Sequence, residues 1–80
     1  MSSPTETSIF ITVNGESRTV PEDYPLTELL RDLDIEPGNE KETSGVAVAL
    51  NDSVVRQQDW EDVRLADEDR VEVIEAQPGG

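Results

Sequence analysis

The 80-residue chain contains no cysteine and no histidine, and Lys41 is its only lysine. Those absences remove the disulfide framework, the thiolate metal site, the usual general base, the nucleophilic thiol and nearly every Schiff-base route. Bases are scarce as well: six stand against 19 acids, for a net charge of −13. Such a surface repels phosphate backbones and anionic membranes, and six scattered bases make no nucleic-acid-binding stripe. Partners are expected to present a basic face, and self-repulsion favours a monomer. No run is apolar enough to span a bilayer, and the opening MSSPTETS lacks the basic and apolar regions of a signal peptide, so the cytoplasm is the expected location. An acid-rich, lysine-poor surface also suits a salt-loving source, which composition alone does not decide. Apolar residues make up 34% and aromatics 4% of the chain. That supports one small domain with a modest core and no deep catalytic pocket.

What is present has a clear order. Residues 1–8 are rich in Ser and Thr and read as a disordered leader. A β-branched and aromatic run, Ile9 to Val13, leads into Asn14-Gly15, a strong hairpin signal because both positions tolerate positive φ. Ser17 to Val20 is the return strand; a two-residue loop pairs Arg18 with Ile11, a bulged loop pairs it with Thr12. Pro25 suits a first helical turn, and Leu26, Leu29, Leu30 and Leu33 form one apolar helical stripe. Pro37-Gly38 stops that helix, which is expected to end near Asp34 to Ile35, and Asn39 to Ser44 reads as a polar loop. Gly45 to Leu50 has the length and apolarity of a covered strand, and Asn51-Asp52 turns into a short edge strand, Ser53 to Val55. A turn then tucks Trp60 against the core, Val63 and Leu65 add core contacts, and Ala66 to Asp69 is a second turn. The last strand is Arg70 to Ile74, with Val71 and Val73 on one face and Arg70 and Glu72 on the other. The predicted fold is α+β, a mixed four- to five-stranded sheet with one packed helix. Its domain spans 9–75, and 76–80 form a flexible tail.

Two readings of single features stay structural. Asp67, Glu68 and Asp69 offer the oxygen ligands that a hard cation takes, yet a turn uses the same residues for its own backbone bonds, and the turn is the expectation. Trp60 is the kind of residue that anchors interfaces, but in a chain with so few aromatics it is expected in the core. Arg56, Arg64 and Arg70 are assigned no binding role. Arg70 is placed to neutralise the acids of the 67–69 turn.

The stretches ITVNGE, LTELLRDLDI, GVAVALNDSVVRQQDW and RLADEDRVEVI, with the terminal Gly79-Gly80, resemble the ThiS family of β-grasp, ubiquitin-like sulfur carriers. The resemblance runs from Ile9 to Gly80 and rests on spacing more than on the terminal glycines alone. Two features depart from it. Pro78 stands where the family more often has a small or apolar residue with a free N–H, which stiffens the tail and removes a donor. The loop from Glu36 to Ser44 is longer than the family's compact link.

The resemblance implies a role for the tail. Six extended residues from Glu75 reach roughly 20 Å at about 3.3 Å each, far enough to enter another protein's active site. By resemblance, a ThiF-like adenylating enzyme of the ubiquitin-activating type uses ATP and magnesium to adenylate Gly80. A persulfide donor then gives a thiocarboxylate, and thiazole synthase consumes its sulfur in thiamine biosynthesis. Gly80 is thus the sulfur-bearing residue, with Gly79 and Pro78 as recognition residues of the tail. The chain itself is then no enzyme and holds no metal or cofactor of its own. Three other readings stay open: a ubiquitin-like modifier joined to lysines, a sulfur carrier for molybdopterin, amino-acid or tRNA thiolation, and an interaction module with an inert tail.

Overall fold

Apolar and polar residues alternate from the first strand onward in the computed structural model, which describes residues 7–75. β1 (Ser8–Val13) turns Ile9, Ile11 and Val13 inward and leaves Phe10 outside. It starts one residue earlier than the sequence predicts, because Ser8 already pairs with Pro21. β2 (Glu16–Pro21) returns antiparallel with Ile11 opposite Arg18, the two-residue register. Asn14 at φ 51° and Gly15 at φ 87° make the loop between them, with the left-handed pair that matches strand twist.

Pro25 does not enter the first helical turn. It sits at the N-cap with extended φ/ψ, and its backbone bridges to Arg64. Its carbonyl accepts the amides of Glu28 and Leu29, and α1 (Leu26–Asp32) follows. Leu26, Leu29 and Leu30 are fully buried and Leu33 half-buried, the stripe that the spacing predicts. The helix ends in a Schellman motif: Asp34 takes φ 66°, its amide donates to Arg31 O, and Ile35 N–H reaches back to Leu30 O. Ile35 is thereby carried into the core.

The segment after Pro37-Gly38 is more ordered than a polar loop. Residues Glu40–Thr43 form a short helix, α2. Asn39 Oδ1 caps it by accepting the Lys41 amide at 2.9 Å, and the buried Thr43 donates its hydroxyl to Asn39 O. Gln57 Nε2 donates to Thr43 O at 2.7 Å and ties this segment to a 3-10 helix, Gln57–Asp62. The 3-10 helix replaces the simple turn expected there. It holds Trp60 in the core, with Nε1 donating to Val55 O, and so fixes this residue as packing and not as an interface anchor.

β3 (Val46–Leu50), β4 (Ser53–Val55) and β5 (Arg70–Glu75) complete a five-stranded sheet of order β2-β1-β5-β3-β4. β1 and β5 run parallel and the other pairs antiparallel. The mixed sheet with one packed helix is the predicted α+β fold, and its core lies between α1 and one sheet face. No helix among the described residues is long and apolar enough to cross a membrane.

Tyr24 latches the start of α1 to its end. Its hydroxyl donates to Asp32 Oδ2 at 2.6 Å. That hydrogen bond, then burial, then the negative charges of Asp32 and Glu28 push the phenol from 10.0 up to about 12, with Arg18 pulling weakly the other way. A folded-state value above the unfolded one means that this stabilisation is complete below pH 10.0 and is lost as pH climbs through about 12. Because Tyr24 is the only tyrosine, tyrosinate absorbance reports it alone. The titration midpoint should lie near 12 in the native chain and fall toward the ordinary phenol value in Asp32→Ala. Equal midpoints in the two proteins would show that the latch does not form.

Candidate functional site at the exit of β5

The residues that the sequence singles out, Pro78, Gly79 and Gly80, lie outside the described residues. The structure defines the platform from which they leave. β5 is last in sequence and central in the sheet, flanked by β1 and β3. On one side Glu72 faces Ala49 and Ile74 faces Ala47; on the other, Arg70 faces Thr12 and Val71 faces Val13. β5 is therefore held on both sides as far as Val71, where β1 ends, and by β3 alone from there to Glu75.

Two asparagines fasten this strand from the tips of the two hairpins. Asn14 donates its amide to Val71 O, and its Oδ1 accepts the Val73 amide at 2.8 Å. Asn51 donates its amide to Arg70 O, and its Oδ1 accepts the Arg70 amide at 2.9 Å. Both stand at φ 51°, a left-handed conformation that asparagine tolerates. The sequence marks both as turn formers; that their side chains also extend the ladder of β5 is visible only once β5 is placed between them.

Among the described residues no helix covers the outer face of the sheet, where Phe10, Val54 and Ile74 are exposed. Near the exit, Ile74 is 58% exposed beside Ala47, and Val54, 76% exposed, stands beside Ala49. Cross-strand partners on one face lie within side-chain contact, so these four residues make one apolar patch at the root of the tail. Phe10, also exposed, sits on the same face but toward the opposite end of the sheet, two residues before the Thr12–Arg70 pair. Between them is a shallow depression of about 150 Å³ lined by Thr12, Gly15, Asp52, Arg70, Val71 and Glu72.

The acidic turn is committed to the fold. Asp67 Oδ1 accepts the Phe10 amide at 2.8 Å, Asp69 Oδ2 accepts the Ala66 amide at 2.7 Å, and Asp69 Oδ1 accepts from Asn51 Nδ2. Glu68, at φ 71°, donates its amide to Phe10 O. Among the described residues no three metal-ligating side chains gather. Arg70 does not neutralise this turn: it reaches across the sheet to Asp52 at 2.8 Å, because the asparagine clip turns β5 toward the β3–β4 loop.

The ThiS family model matches residues 11–80. The crystal structure of the thiamine biosynthesis protein ThiS from Geobacter metallireducens is similar to this chain, with 31% identity and a TM-score of 0.70. The match covers 90% of this chain and 100% of that one. No curated protein matches.

Both asparagine clips fall within the matched span. Asn14→Gly keeps the left-handed turn and removes only the side-chain acceptor of Val73. It should cost about 1 kcal/mol in urea unfolding and speed hydrogen exchange at the Val73 amide. Unchanged stability together with unchanged exchange would show that the clip does not hold β5.

Proposed function

The chain belongs to the ThiS family, and from that premise we propose that it is a sulfur carrier protein whose terminal Gly80 bears the sulfur. The observation that carries this reading is the family match, which spans residues 11–80, from β1 to the terminal Gly-Gly. A platform made of the central strand supports it, with a bare apolar patch at the point where the tail departs. A carrier has to offer its acyl terminus from a rigid body that another protein can grip, and β5 with its patch is suited to be that body.

A free carboxylate is a poor acyl donor. In the proposed cycle, a ThiF-like adenylating enzyme binds ATP with magnesium and joins the Gly80 carboxylate to the α-phosphate, releasing pyrophosphate. The terminal sulfur of a persulfide attacks the acyl carbon and displaces AMP. A thiol then cleaves the resulting acyl disulfide, leaving the thiocarboxylate, which thiazole synthase uses. Glycine without a Cβ passes a narrow channel and leaves its carbonyl open to attack from either face. The ATP and magnesium belong to the partner, so the chain is a cosubstrate and not an enzyme. Its monomeric state and cytoplasmic location are part of the same proposal. Thiazole formation is favoured over the other thiolation pathways because the similar Geobacter protein is a thiamine biosynthesis protein.

The apolar patch of Ile74, Ala47, Ala49 and Val54 is the surface proposed to meet the adenylating enzyme. Acids around it, Glu72 and Glu75 nearest, call for a basic rim on that enzyme.

Incubation with a ThiF-like enzyme, ATP and a sulfur donor should raise the intact mass by about 16 Da, as one oxygen is exchanged for sulfur on Gly80. Deleting Gly80 should abolish the gain. Ile74→Asp with Val54→Asp should leave the melting temperature near that of the native chain and slow loading about tenfold or more. No mass gain with an enzyme active on its own carrier would reject the reading.

A further inference from the structure

β1 stops before β5 does. Their pairing covers Thr12 with Arg70 and Val13 with Val71, after which the chain turns away at Asn14-Gly15, while β5 continues to Glu75. Backbone groups of a strand point alternately to its two sides. Glu72 and Ile74 point toward β3, a phase fixed by the bond from the Asn51 amide to Arg70 O. The odd-numbered residues point toward β1: Asp69 O and Val71 O accept the amides of Thr12 and Asn14, and the Val73 amide ends on Asn14 Oδ1. The next two groups on that side are the Val73 carbonyl and the Glu75 amide. They lie past the point where β1 has turned away, and no rung from β1 reaches them.

We propose that this bare edge of β5, the Val73 carbonyl and the Glu75 amide, takes an extended segment of the adenylating enzyme as an added strand. The proposal rests on the sulfur-carrier reading above and specifies how the partner grips the carrier. The edge leads directly into residues 76–80, five residues that end in Gly80. A partner that aligns those residues must hold them extended over about 16 Å. Pairing with the last ordered residues removes rotation at the root of the tail before the tail is engaged, which lowers the ordering cost of binding. The exposed Ile74 flanks the same edge, so an added strand and contact with the apolar patch occur together. A second copy of this chain is a poor occupant. With a net charge of −13, it would set Glu75 against the acids of an identical edge.

The edge can be blocked without disturbing the ladder to β3. Glu75→Pro removes the outward amide, and proline is tolerated where a strand's N–H faces away from its neighbours. Glu75→Ala removes the charge and keeps the amide. With the ThiF-like enzyme as probe, Glu75→Pro should bind about tenfold more weakly than Glu75→Ala, the scale of one main-chain hydrogen bond. Its melting temperature should match that of Glu75→Ala. In the native carrier the Glu75 amide should exchange rapidly when free and about tenfold or more slowly in the complex. Equal binding by the two variants, or unchanged exchange at Glu75, rejects the added strand. If the native chain is still loaded with sulfur in that case, the carrier function stands alone; if it neither binds nor is loaded, both readings fall.

Discussion

One helical layer covers one face of one sheet, and the rest of the molecule is arranged around that limit. Leu26, Leu29 and Leu30 of α1 close over Ile11, Val13, Val48 and Val71, with Trp60 and Leu65 sealing the side. A core of this size leaves little margin over the entropy of ordering the chain. Local geometry therefore contributes heavily. Asn14, Asp34, Asn51, Asp52 and Glu68 all adopt positive φ to close turns tightly. Among the described residues no buried side-chain polar atom lacks a partner. The same limit leaves the opposite sheet face without a cover. Ile74 and Val54 are exposed because no second layer among the described residues covers them.

Electrostatics divide the acids into two groups. Some are structural acceptors: Asp67 and Asp69 take backbone amides, and Asp32 takes the Tyr24 hydroxyl. The remainder form a negative shell that few cations offset. Arg31 is shared between Glu28 and Glu36, and Arg70 is engaged by Asp52, all at exposed positions where pairing stabilises little. Such a shell opposes the approach of like-charged surfaces and favours that of basic ones. An apolar patch within such a shell can stay exposed without promoting self-association, because charge repulsion acts at longer range than the patch does.

Much of the fold was legible because its signals are local. The leucine stripe gave α1, Asn14-Gly15 and Asn51-Asp52 gave two hairpins, and the alternation in β5 gave its inner and outer faces. The misreadings share a cause. The capping of α2 by Asn39 depends on a short polar stretch folding back on itself, and the 3-10 helix depends on Trp60 being drawn into the core. Neither leaves a periodic pattern. Pro25 stands one position earlier than expected because its backbone is recruited by Arg64, thirty-nine residues away in sequence. The pairing of Arg70 with Asp52 was missed for the same reason: adjacency in the chain pointed to the 67–69 turn, whereas adjacency in the sheet decided the matter. The terminal glycines lie outside the described residues, and the patch and the bare edge of β5 leave no signal in the sequence. Both are products of strand order, which no single segment encodes.

Strand order also imposes a schedule. The centre of the sheet is the last strand to be synthesised, and until β5 arrives the β1–β2 and β3–β4 hairpins share no ladder. Each hairpin alone is at best marginally stable in water. The domain consequently cannot assemble piecemeal as the chain emerges from the ribosome; it closes only after Glu75 is free to pass between the two halves. A chain cut short within β5 therefore loses the ladder that joins the two hairpins, and neither half keeps a fold that would protect it from proteolysis.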